Sequence, residues 1–313
     1  MINENAIKAV FERSLKLQSD ETCLIVTDTE KEGIGRAFYE YALQITPETE
    51  IIVISPTEEH GAEPPCEVAG KMLNKDVQLL ITSKSLTHTA ARREATARGA
   101  RIATMPAIVE DIVNRCMDID YDKLRSESQQ LYQVLKNAGS IRVTTASGTD
   151  IEFSVGSSDF FGKDGGVYDY PGAYGNLPEG EVAFGPETCD GTYVVDVSFC
   201  GLGLLGSPLT FKVKSGMVTD ISGERSGELK ERLDKAGPKA YLVAELGIGL
   251  NPKAKVIGNI LEDEKVIGTV HIALGNNCSF GRDNDVPIHL DGVITKPTVM
   301  VDGRKIMADG KFV

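Results

Sequence analysis

Four short apolar runs near the start of the chain restrict its fold more than any other feature. They lie at 22–27 (TCLIVT), 50–55 (EIIVIS), 77–82 (VQLLIT) and 101–104 (RIAT). The runs are continuously apolar or β-branched rather than alternating, which is the pattern of strands buried on both faces. Between them, segments 33–45, 65–73 and 89–98 read as helices, and the last closes on Gly99, the residue type favoured just past a helix end. A leading helix is legible from Ile7, Val10, Phe11 and Leu15. Strands alternating with helices predict a parallel sheet covered on both sides. Residues 1–135 are therefore expected to form an α/β domain of Rossmann-like or flavodoxin-like type. No G-x-G-x-x-G follows the first strand and no Walker lysine is present, so nucleotide binding has no support.

A charged helix at 121–137 links this half to one of different character. Glycine becomes frequent, and the alternation in SIRVTTASGTDIEFSV around Ser147-Gly148 predicts a hairpin. Further strands are expected at 191–200, 209–214, 240–246, 268–274 and 299–301, with one helix at 226–236. Residues 136–313 are thus expected to form a β-rich α+β domain that binds metal and carries catalysis. The 313 residues suffice for two domains of ordinary size.

A net charge of −13 repels nucleic-acid phosphates, and no apolar stretch reaches the ~18 residues of a membrane span. The first residues, MINENAIKAVFERSLKL, lack the basic and apolar regions of a signal peptide. The six cysteines (Cys23, Cys66, Cys116, Cys189, Cys200, Cys278) form no C-x-x-C pair and suit a reducing compartment. The expectation is a cytoplasmic homodimer acting on a small peptide or small molecule, without nucleic-acid or membrane partners.

Two of the four histidines, His271 and His289, fall in strand-like contexts. Positions i and i+2 of a strand share a face, so His289 and Asp291 point the same way. Such a pair is either a set of metal ligands or a structural hydrogen bond. Glu245 interrupts the apolar run YLVAELGIG. A carboxylate there either sits on a wet face or is buried with a cation or arginine. Glu181 enters a strand from the turn NLPEG, where a glutamate is ordinarily solvated. His88 stands between the third strand and a helix, near where open α/β sheets bind ligands. His60, among acidic neighbours, reads as a surface residue. Arg92-Arg93 reads as a source of surface ion pairs, and GLGLLG at 201–206 as a turn.

The stretches NLPEGE around Glu181, AELGIGLNP around Glu245, HIALG at His271 and HLDG at His289 resemble the thermophilic aminopeptidase family (aminopeptidase T). That resemblance implies a metal site of Glu181, Glu245, His271, His289 and Asp291 holding one or two divalent ions, zinc, cobalt or manganese. It implies a hydrolase in which a metal-bound water attacks a peptide carbonyl, with Glu181 or Glu245 as general base. Where that family carries its catalytic tyrosine, this chain has Cys278. A second resemblance, to the 2,5-dihydroxypyridine dioxygenases, implies instead a single Fe(II) on His271, His289 and Asp291, with His88 as acid–base group. A third possibility is a binding protein that keeps the scaffold without catalysis.

Overall fold

In the computed structural model, which describes residues 2–313, the four apolar runs become the strands Cys23–Asp28, Thr49–Ile54, Val77–Ile81 and Arg101–Thr104. A short strand from much later in the chain, Tyr174–Asn176, pairs beside Arg101–Thr104. All neighbours in this sheet run parallel. With Cys23–Asp28 beside both Thr49–Ile54 and Val77–Ile81, the order is that of flavodoxin-like folds. Every residue of Cys23–Asp28 and Val77–Ile81 is buried, as their apolar composition requires. The helices Glu32–Ile45, Cys66–Met72 and Ala90–Ala97 connect the strands. Thr89 caps the last of these by accepting from Arg92 N at 3.2 Å, and Gly99, at φ +100°, follows its end. The expected α/β class is the one observed.

The chain divides into two units, Met1–Arg125 with Asp164–Glu179, and Ser126–Lys163 with Gly180–Val313. The helix Tyr121–Leu135 passes from one to the other. The second unit holds two antiparallel sheets, of eight and seven strands. The expected hairpin, Ser140–Thr144 with Asp150–Ser154, lies in the eight-stranded sheet. Apolar faces of the two sheets meet where Phe199 of one stacks on Phe211 of the other, their rings 5.8 Å apart. The strand expected at 240–246 starts later. Gly237 and Pro238 open a 3-10 turn, Pro238–Tyr241, before the strand Val243–Gly249. No described helix is long and apolar enough to cross a membrane.

Candidate metal centre

Glu181, Glu245, His271, His289 and Asp291 lie on four adjacent strands of the seven-stranded sheet: Glu181–Phe184, Val243–Gly249, Val270–Gly275 and His289–Ile294. The register places Glu245 opposite Ala273 and Ala273 opposite Asp291. One step along, Gly247 is opposite both His271 and Ala183. Opposed residues share a face, and so do residues two apart, so all five side chains emerge on one side of the sheet. A bulge helps to aim Glu245. Val243 pairs with Leu274 and Glu245 with Ala273, which leaves Ala244 as the extra residue and brings Glu245 onto the His271 face. Between them on that face lie the small residues Ala183, Gly247 and Ala273. A side chain at Gly247 would collide with the His271 imidazole, so glycine is what lets the ring lie across the strand.

His271 Nε2 lies 3.0 Å from Glu181 Oε2 and 3.2 Å from Glu245 Oε1. His289 Nε2 lies 2.7 Å from Glu245 Oε2 and 3.5 Å from Asp291 Oδ1. The other nitrogen of His289, Nδ1, is 2.7 Å from the Asn276 carbonyl oxygen. A carbonyl only accepts, so Nδ1 carries the hydrogen and donates it. Neutral His289 then turns the lone pair of Nε2 toward a carboxylate. Two acceptors facing each other require a proton or a cation between them. Donation of the second imidazole N–H to a carbonyl is also how metal-bound histidines are oriented.

Glu181, Glu245, His271 and Asp291 are all at most 7% exposed, too deep for water to neutralise them. Burial pushes the Glu245 carboxyl up, but His271 and His289 outweigh it and hold it below its ordinary range. Burial likewise raises Glu181, and Lys265 and His271 overcome it. Burial lowers both imidazoles, yet Glu181 and Glu245 lift His271, and Asp291 and Glu245 lift His289, well above the usual value.

Two residues absent from the sequence reading join the cluster. Glu264 belongs to a donor group with His271 and Asp291. Burial pushes its carboxyl up to about 8 against the opposing pull of Lys265, and Glu181 and Asp291 add to the rise. Lys265, fully buried, places Nζ on Glu181 Oε1 and 2.7 Å from Glu264 Oε1. Three overlapping donor groups result: Glu181–Glu245–His271, Glu245–His289–Asp291 and Glu264–His271–Asp291. Glu181 Oε2 and His271 Nδ1 are buried without a hydrogen-bond partner, and the approach of Glu181 Oε2 to His271 Nε2 falls outside hydrogen-bond geometry. Imidazole nitrogens, carboxylate oxygens and an orphaned acceptor among them fit a divalent transition metal.

The remaining candidates lie apart in role. His88 is exposed in the turn before Ala90–Ala97, and its carbonyl accepts from Arg93 Nη1. His60 is exposed and accepts from Ser85 N at 3.2 Å. Arg92 is not the surface residue expected. It is 4% exposed, donates Nε to the Thr87 carbonyl at 2.7 Å, and lies 3.7 Å over the Tyr174 ring. Cys278 is exposed in the short 3-10 turn Cys278–Phe280.

The family model of 2,5-dihydroxypyridine 5,6-dioxygenase (NicX) matches residues 5–313. Among solved structures, 2,5-dihydroxypyridine dioxygenase from Pseudomonas putida KT2440 is similar, with a TM-score of 0.86 at 18% identity over 99% of this chain and 98% of the other. AmpT from Thermus thermophilus is also similar, with a TM-score of 0.72 at 16% identity over 99% of each chain. At these identities the likeness concerns the fold. No curated protein matches. The family match overturns the expected aminopeptidase T membership, and with it the metallo-aminopeptidase hydrolase expected from the motifs. The fold of this chain is similar to both structures, so the fold alone does not tell their reactions apart.

Proposed function

We propose, from the premise that this chain belongs to the 2,5-dihydroxypyridine 5,6-dioxygenase family, that it opens a hydroxylated pyridine ring with dioxygen. The observation that carries this reading is the family match across residues 5–313. The buried cluster of two histidines and carboxylates supports it. In this reading His271, His289 and Asp291 hold one Fe(II), the two-histidine, one-carboxylate set of non-haem iron oxygenases. The ion, when bound, would supply open positions for substrate and dioxygen and a path for electrons from the ring, which is itself oxidised, to dioxygen.

The chain's own residues do the rest. The Asn276 carbonyl keeps the hydrogen of His289 on Nδ1, so that Nε2 remains the donor atom. Asn276 is itself braced, donating Nδ2 to Asp285 Oδ1 at 3.0 Å and to the Val286 carbonyl at 3.1 Å. Glu245 faces both Nε2 atoms, so its negative charge lies beside the place of the ion. The buried strands beneath exclude water from the donor atoms. His88 is carried over from the family likeness as a further proton carrier. In that role His88→Ala lowers turnover and leaves metal content unchanged.

The test is anaerobic loading with Fe(II), followed by 2,5-dihydroxypyridine and measured dioxygen. The expected result is dioxygen uptake equal to the ring absorbance lost. Full iron occupancy with no uptake would overturn the reading.

A further inference from the structure

We propose that Lys265 fixes this centre at one metal ion, by holding with its ammonium the two carboxylates that would otherwise complete a second site. This rests on the placement of one ion at His271, His289 and Asp291 and adds what limits it to one.

Lys265 is fully buried, and its Nζ contacts Glu181 Oε1 and Glu264 Oε1. Both donor groups that contain His271 depend on one of these glutamates: Glu181 in the first, Glu264 in the other. His271, His289 and Asp291, the set that holds the one ion, need neither glutamate, whereas a second set drawn from Glu245 and His271 would need one of them. An ammonium seated on a carboxylate oxygen takes one of its lone pairs and repels a divalent ion approaching the same group. A lysine at this depth thus does electrostatically what a second metal would do. It neutralises the Glu181 carboxylate and hydrogen-bonds Glu264, while offering no coordination position to substrate.

The lysine's place is built into the fold. Its backbone N donates to the Glu262 carbonyl at 2.9 Å, and its carbonyl accepts from Asn251 N at 2.8 Å. The preceding acidic residues are tied down as well. Glu262 Oε1 accepts from Lys255 N at 2.6 Å, and Asp263 accepts from Ile257 N and Gly258 N at 2.8 and 2.9 Å. The run Glu262–Lys265 is therefore an anchored segment that delivers one ammonium to the cluster, not a solvated charged turn.

The test is a metal count. Chelator-stripped protein is titrated anaerobically with Mn(II) alone, and bound metal is measured after equilibrium dialysis. The wild-type chain should bind one ion, Lys265→Met two, and the triple variant Lys265→Met/Glu181→Gln/Glu264→Gln one again. Two ions on the wild-type chain, or one on folded Lys265→Met at saturating metal, would overturn the proposal. Should Lys265→Met not fold, Glu264→Gln alone decides. One ion retained supports the proposal, and loss of the ion makes Glu264 a ligand and overturns it. One ion on the wild-type chain supports it whether or not dioxygen is consumed, so the metal count and the catalytic reading fail separately.

Discussion

The parallel sheet of the first unit and the seven-stranded sheet of the second are both buried along their central strands, yet they fill that burial in different ways. Cys23–Asp28 and Val77–Ile81 present mostly aliphatic side chains to both faces. Val243–Gly249 and Val270–Gly275 do so on one face only, and on the other they hold Glu245 and His271 among glycine and alanine. The first sheet is stabilised by apolar area removed from water. The second keeps its charges buried because they satisfy one another and because Gly247 gives the imidazole room. Buried charge is tolerable only as a complete set, so the second sheet is fragile at single residues in a way the first is not.

The difference can be broken at either end. His271→Ala deletes a donor shared by two of the three groups. Metal content and turnover should both fall to background, read by metal analysis beside the dioxygen assay. Leu24→Ala tests the apolar sheet. Leu24 is fully buried, so the variant should lose about 2–5 kcal/mol of stability in a denaturant titration while binding metal as before. If Leu24→Ala also lost the metal, the two sheets would not be independent in this sense. Gly247→Ala adds one methyl against the buried His271 ring, so the melting transition should fall as well. Displacing the His271 ring should weaken metal binding by about 10–100-fold. A weakened fold with intact affinity would assign that glycine to packing instead.

The smallest effect lies at the first unit's edge. Arg101 donates to both oxygens of Glu21, at 2.7 and 2.8 Å, and this bond holds the carboxyl below its ordinary range. A depressed folded-state value means the stabilisation is present above the unfolded value of about 4.3 and is lost as pH falls through the folded one. Glu21→Gln should therefore cost about 1 kcal/mol at neutral pH, and the gap should close in acid. A gap that persists in acid would show that the ion pair is not its source.

The same contrast explains what the sequence revealed. Short apolar, β-branched runs bounded by turn residues read as strands, so four strands of the first sheet were legible nearly to their ends. Tyr174–Asn176 was not, because three residues without a β-branched side chain give no pattern and their partner strand lies about 70 positions earlier. The short helix Glu110–Cys116 escaped for a similar reason, with only Ile112, Val113 and Cys116 buried. In the metal centre, His271, His289 and Asp291 stood out as polar residues on strand-like runs, and Glu245 as a charge inside an apolar one. Glu181 looked solvated because what buries it, Lys265, lies 84 positions away. Glu264 and Lys265 were hidden in LEDEK, a run that resembles an exposed turn until its backbone anchors are seen. The reaction was the least legible, since the fold is similar to both a dioxygenase and AmpT.

The central claim is that this centre adds dioxygen to a ring. Isotope labelling tests it most directly. Iron-loaded protein is given 2,5-dihydroxypyridine under ¹⁸O₂, and the ring-opened product is weighed by mass spectrometry. The account predicts that both atoms of one dioxygen enter the product. Product oxygen drawn only from labelled water, as in a hydrolysis, would contradict it.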